Sequence, residues 1–143
     1  QAEAGLAIIF ITHDFGIVAR MCDRVAVMYA GKIVEQGDVR QIFNSPSHPY
    51  TEALINSVPK MEGKTEERLY SIPGQPPPLW DLPEGCSFAP RCPYVHDRCT
   101  EDPPLVEVDN GQQAVLLYGG FQGPIVGEAG LGVAVLRQPL LEP

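Results

Sequence analysis

The segment Leu6-Ala7-Ile8-Ile9-Phe10-Ile11-Thr12-His13-Asp14 is an almost unbroken apolar run that ends in a polar triplet. Two adjacent isoleucines in such a run suit a strand buried on both faces of a parallel sheet. Open α/β sheets place their ligand chemistry at the carboxyl ends of the strands. The titratable His13 sits at that edge, and Asp14 is a good cap for a helix starting at Phe15. The fold class expected from this segment is α/β.

Downstream, Phe15, Val18 and Ala19 recur at helical spacing and predict a short helix over Phe15–Met21. Arg24-Val25-Ala26-Val27-Met28-Tyr29 reads as a second covered strand. Ala30-Gly31-Lys32 is a tight turn, with Gly31 free to take positive φ, and Lys32 to Gly37 returns as a third strand. Asp38 is placed to cap a helix through Phe43, which Asn44-Ser45-Pro46 stops. A further helix begins near His48-Pro49-Tyr50, with Pro49 in the first turn and Tyr50 packed inward, and ends before Pro59.

The second half differs in composition. Of the 15 prolines, nine fall between Pro73 and Pro104, which excludes long helices and central strands there. The net charge of −8 is carried mostly beyond residue 60, where Asp and Glu outnumber Lys and Arg by twelve to five. That acidity argues against nucleic acid as a partner. A boundary is expected near residues 59–70, between a compact α/β part (1–60) and a loop-rich appendage (61–118), with a tail from 119 to 143. A buried parallel strand needs neighbours on both sides and few are encoded, so a carboxyl-terminal piece of a longer protein is expected. No apolar run is long enough to span a bilayer.

Three of the four cysteines cluster as Cys86-x5-Cys92-x6-Cys99 among Pro and Gly. In a chain without an export signal, clustered cysteines point to metal before disulfide. The spacing is looser than the tight pairs of structural zinc, and thiolates of an iron–sulfur cluster fit at least as well. Cys22, on the first helix, reads as a small core residue. Trp80 reads as a clamp over the appendage core ahead of an anchor for a partner, and Leu131 to Leu136 as either a stray strand or part of an out-of-frame or divergent extension.

Taken together, Phe10-Ile11-Thr12-His13-Asp14, Asp23 to Glu35 and His48-Pro49-Tyr50-Thr51-Glu52-Ala53-Leu54 resemble the end of an ABC transporter ATPase subunit. Ile72-Pro73-Gly74-Gln75-Pro76-Pro77, Leu82-Pro83-Glu84-Gly85-Cys86 and Pro90-Arg91-Cys92-Pro93 narrow the resemblance to the ATP-binding subunits of bacterial oligopeptide and dipeptide importers. It covers about residues 1–110. It implies the C-terminal part of a P-loop ATPase domain followed by the Pro-rich, cysteine-containing appendage, and it makes His13 the switch histidine that contacts the γ-phosphate of ATP. It further implies ATP and Mg as cofactors of the full-length subunit, with a second nucleotide-binding subunit, membrane permeases and, indirectly, an extracytoplasmic peptide-binding protein as partners. The implied location is peripheral, on the cytoplasmic side of the plasma membrane. Many members carry this cysteine series with a fourth downstream and bind a four-iron, four-sulfur cluster, which makes Cys86, Cys92 and Cys99 metal ligands by resemblance. Here the fourth position, near Val115 to Leu117, holds no cysteine; His96 is a possible nitrogen ligand.

The phosphate loop, the Leu-Ser-Gly-Gly-Gln signature and a strand ending in Asp-Glu do not occur in this sequence. The polypeptide by itself is therefore expected neither to bind ATP tightly nor to hydrolyse it. Two functions stay open on sequence: a partial motor subunit of a peptide importer, or a stand-alone iron–sulfur or zinc-binding interaction module.

Overall fold

A computed structural model describes residues 7–58 and 71–116, and the backbone of residues 133–137. Strand β1 (Ile8–Thr12) leads into helix α1 (Phe15–Met21), followed by β2 (Arg24–Tyr29), β3 (Lys32–Asp38), α2 (Val39–Asn44) and α3 (Pro49–Asn56). Two 3-10 turns, Ala89–Arg91 and Asp97–Thr100, precede β4 (Leu105–Asp109) and β5 (Gln112–Val115); β6 (Val133–Arg137) is contributed by the tail.

The elements of the first half form where local chemistry directs. Asp14 accepts from the Ile17 amide (3.1 Å) and caps α1. Asp38 and Gln41 form a reciprocal capping box on α2. The β2–β3 turn uses left-handed Ala30 (φ 48°) and Gly31 (φ 80°), the geometry that matches the twist of an antiparallel hairpin. The described residues of the appendage form 3-10 turns and one hairpin, in keeping with its prolines.

The sheet corrects one expectation. Its six strands run in the order β1-β6-β2-β3-β5-β4, and every pairing is antiparallel. Strands β1 and β2 do point the same way, because β6 lies between them antiparallel to both. Nor is β1 buried on both faces: Ile9 is 64% and Ile11 78% exposed. It is an edge strand paired only with β6 among the described residues.

The core lies instead over β2 and β3. Phe15 and Val18 of α1, Val25 and Val27 of β2, Ile42 of α2, and Tyr50 and Leu54 of α3 belong to one buried cluster that also takes in Ile72 and Phe88. Residues before and after the expected 59–70 boundary therefore share one core, and β3 pairs with β5 across it; residues 59–70 lie outside the described set. Cys22 is a core residue, as expected. Trp80 is not the expected clamp: it is 90% exposed, because the core beneath the Pro-rich loop is already closed by Phe88 packed on Tyr29 and Tyr50.

Candidate functional site

His13 follows the last residue of β1 and is exposed. The next residue is held in place: Asp14 N–H donates to Thr12 Oγ1 (3.0 Å), and the Asp14 carbonyl accepts from the Val18 amide (3.1 Å). No hydrogen bond or ion pair holds the His13 ring among the described residues. The carboxyl end of the strand thus presents an exposed imidazole. An imidazole so placed can donate to an anion.

The most constrained polar groups lie elsewhere, and sequence reasoning passed over them. Glu35, on β3, is fully buried. Its carboxylate accepts from the amides of Ser47 (2.7 Å) and His48 (3.0 Å), and from Gln112 Nε2 (2.7 Å). Gln112 Nε2 also reaches the Ser45 carbonyl (3.0 Å), so β5 and the segment ahead of α3 meet on one carboxylate. Burial pushes the Glu35 carboxyl up, and the Ser47, His48 and Gln112 hydrogen bonds partly offset that rise. His48 caps α3 through Nδ1, which accepts from the Tyr50 amide at 3.1 Å. Complete burial drives its imidazole down to about 3, so it is neutral at physiological pH.

A second buried lock is built on Arg91. Its Nε donates to the Pro73 carbonyl and one terminal nitrogen to the Ile72 carbonyl, both at 3.1 Å; the other terminal nitrogen reaches Tyr29 Oη at 3.4 Å. Tyr29, Tyr50 and Phe88 stack edge-to-face or tilted around it, with centroids 4.7–5.4 Å apart. Three of the motifs read from sequence, His48-Pro49-Tyr50, Ile72-Pro73 and Pro90-Arg91, thus meet in one structural knot. Their spacing along the chain carried no sign of this meeting.

Cys86, Cys92 and Cys99 are free, partly buried thiols. Burial pushes Cys86 up and Cys92 up to about 11; the neighbouring Cys99 adds to both rises. The three are electrostatic neighbours, yet among the described residues no group of three Cys, His, Asp or Glu is disposed to hold a metal ion. Cys22, the remaining cysteine, is part of the core under α1. The expected iron–sulfur or zinc site on Cys86, Cys92 and Cys99 is not supported among the described residues.

Residues 34–99 match the family described as oligopeptide/dipeptide transporter, C-terminal region. The chain is 48% identical over 112 residues to the oligopeptide transport ATP-binding protein OppD of Haemophilus influenzae, covering 78% of this chain and 34% of that protein. It is 44% identical over 119 residues to the dipeptide transport ATP-binding protein DppD of Escherichia coli, covering 82% of this chain and 36% of that protein. A putative peptide import ATP-binding protein of Brucella ovis is 46% identical over 115 residues, 76% of this chain and 34% of that protein. The chain belongs with the ATP-binding subunits of peptide ABC importers and corresponds to their C-terminal region. It spans about a third of the length of these relatives. No helix among the described residues is long and apolar enough to cross a membrane.

Proposed function

We propose that the chain supplies the C-terminal region of a subunit that couples ATP binding and hydrolysis to peptide uptake, with His13 as its contribution to the nucleotide site. The observation that carries this reading is the pairing of relatives named as oligopeptide and dipeptide transport ATP-binding proteins with an exposed His13 at the carboxyl end of β1. Phosphoryl transfer depends on positioning and on stabilising charge over the γ-phosphate oxygens, and an imidazole N–H aimed at them supplies both. ATP and Mg are bound by elements that the rest of the subunit provides. The Glu35 and Arg91 locks hold the scaffold behind β2 and β3 rigid, so that a closing motion is passed on rather than absorbed.

In this reading the subunit works on the cytoplasmic side of the membrane, against a second nucleotide-binding subunit and beneath permease subunits. The peptide arrives from an extracytoplasmic binding protein. The loop-rich appendage is a docking or regulatory part.

The test is a chimera in which residues 1–116 replace the corresponding region of a full-length dipeptide or oligopeptide ATP-binding subunit. ATP hydrolysis should survive the exchange and fall roughly 100-fold or more on His13→Ala, the size of loss seen when one transition-state donor is removed. An active chimera indifferent to His13→Ala would overturn the assignment.

A further inference from the structure

With no role as a clamp, Trp80 has no packing reason for its place. It is the single tryptophan of the chain and stands between two more exposed apolar side chains, Leu79 and Leu82. The tip that carries it is held. Asp81 N–H donates to the Pro78 carbonyl at 3.0 Å, closing a turn with Leu79 and Trp80 at its two central positions. Pro76, Pro77 and Pro78 lead into that turn, and each fixes its own φ.

The loop is tied down at both ends. On one side Arg91 donates to the Ile72 and Pro73 carbonyls, both at 3.1 Å. On the other, Gly85 takes φ +73° so close to the next segment that a Cβ would collide with the carbonyl oxygens of Cys99 and Glu101. A side chain displayed on such a loop has little freedom left to lose, which lowers the entropic cost of association. Tryptophan so presented is the side chain most often found as an energetic anchor in protein interfaces.

Charge narrows the partner. Asp81 and Glu84 flank the ring in sequence and are exposed, and among the described residues neither carboxylate accepts a hydrogen bond or forms an ion pair. The stretch from Ser71 to Pro90 contains no Lys or Arg. An apolar tip beside uncompensated negative charge is a poor match for an anionic membrane, and for a second copy of a chain whose net charge is −8.

We propose that the Leu79–Leu82 turn docks on an amphipathic helix of a partner protein that carries Lys or Arg along its apolar face. A helix meets both demands at once. Apolar side chains one turn apart form a hole for the Trp80 ring, and cations on the flanking positions reach Asp81 and Glu84. The proposal deepens the docking role given above to the appendage and rests on that part of the reading. It needs nothing from His13, whose test reads ATP hydrolysis.

The probe is a synthetic amphipathic helix of leucine and lysine, with a leucine–glutamate helix as its control, titrated into the full chain. Trp80 emission should move to shorter wavelength with the lysine peptide and stay unchanged with the glutamate peptide. Binding read by the anisotropy of a labelled lysine peptide should weaken about tenfold or more in Trp80→Ala. That variant keeps the net charge at −8, so unspecific attraction to an acidic chain would survive it. Asp81→Asn and Glu84→Gln should each weaken binding by up to about fivefold, and added salt should have less effect on both variants than on the parent chain. All three positions are exposed, so urea melts of the variants should match the parent. Equal affinity in Trp80→Ala, or equal binding of the two peptides, would overturn the proposal. So would an emission shift with phosphatidylglycerol vesicles but not with the lysine peptide, or one that follows chain concentration without any peptide.

Discussion

Two strands of this molecule read alike and behave differently. Ile8–Thr12 and Arg24–Tyr29 are both short, apolar and rich in β-formers, yet Ile8 to Ile11 of β1 are 39–78% exposed while Val25, Ala26, Val27 and Tyr29 of β2 are at most 4% exposed. Composition therefore does not account for the contrast. Strand β2 lies between β6 and β3, with Tyr29 wedged among Tyr50, Phe88 and Arg91. Among the described residues, strand β1 pairs with β6 alone, at one edge. An apolar run specifies a strand; the neighbours decide whether the strand becomes core. The same division separates the jobs: β2 and β3 carry the buried locks, and β1 ends in the exposed His13.

The contrast breaks most visibly at Tyr29. Replacing it with alanine empties the centre of the aromatic trio and should cost about 3–5 kcal/mol, as large aromatic-to-alanine changes in cores do. Tyr29→Phe retains the rings, loses only the Arg91 contact, and should cost about 1 kcal/mol. Urea melts of the two variants check this; equal losses would mean that the hydroxyl rather than the packing holds the knot.

A smaller effect is expected from acid. His48 titrates near 3 when folded and near 6.5 when unfolded, so between these values the unfolded chain binds a proton that the folded chain refuses. Its contribution to stability is complete above pH 6.5 and is lost as pH falls toward 3, about 2 kcal/mol between pH 8 and pH 5. Glu35 works the other way. Its raised carboxyl keeps a proton that the unfolded chain loses near 4.5, so its contribution declines as pH rises from there. His48→Asn can still accept from the Tyr50 amide but cannot titrate. Melts from pH 8 to 5 should show the acid-side slope flattened in this variant; an unchanged slope would place the titration elsewhere.

What the sequence disclosed follows the range of the forces involved. Caps, turns and periodicity act over a few residues, and α1, the β2–β3 hairpin, α2 and the start of α3 were all legible from them. The Asn110-Gly111 pair, left-handed at both positions, carries the same kind of signal for the β4–β5 hairpin. The Glu35–Gln112 and Arg91–Ile72 contacts join residues far apart in sequence, and no local pattern encodes them. The cysteine cluster was legible as a cluster, but the burial that raises Cys86 and Cys92 is a property of the folded core.

The smallest effect tests the other side of the contrast. Ile9 and Ile11 alternate with Ile8 and Phe10 along β1, and theirs is the more exposed face. If β1 is an edge strand with no covering layer, Ile9→Lys and Ile11→Lys should each change stability by no more than about 0.5 kcal/mol, the range of ordinary surface substitutions. They should also improve solubility, since a flat, uncharged apolar edge is a template for pairing between chains and a lysine there opposes it. Sedimentation and urea melts on the same preparations separate the two consequences. A loss of several kcal/mol would show that this face is packed in solution, and β1 would then join β2 as core. Unchanged stability with less self-association would show that the apolar character of β1 does little for this chain by itself; its value would then lie in what a longer subunit lays against it.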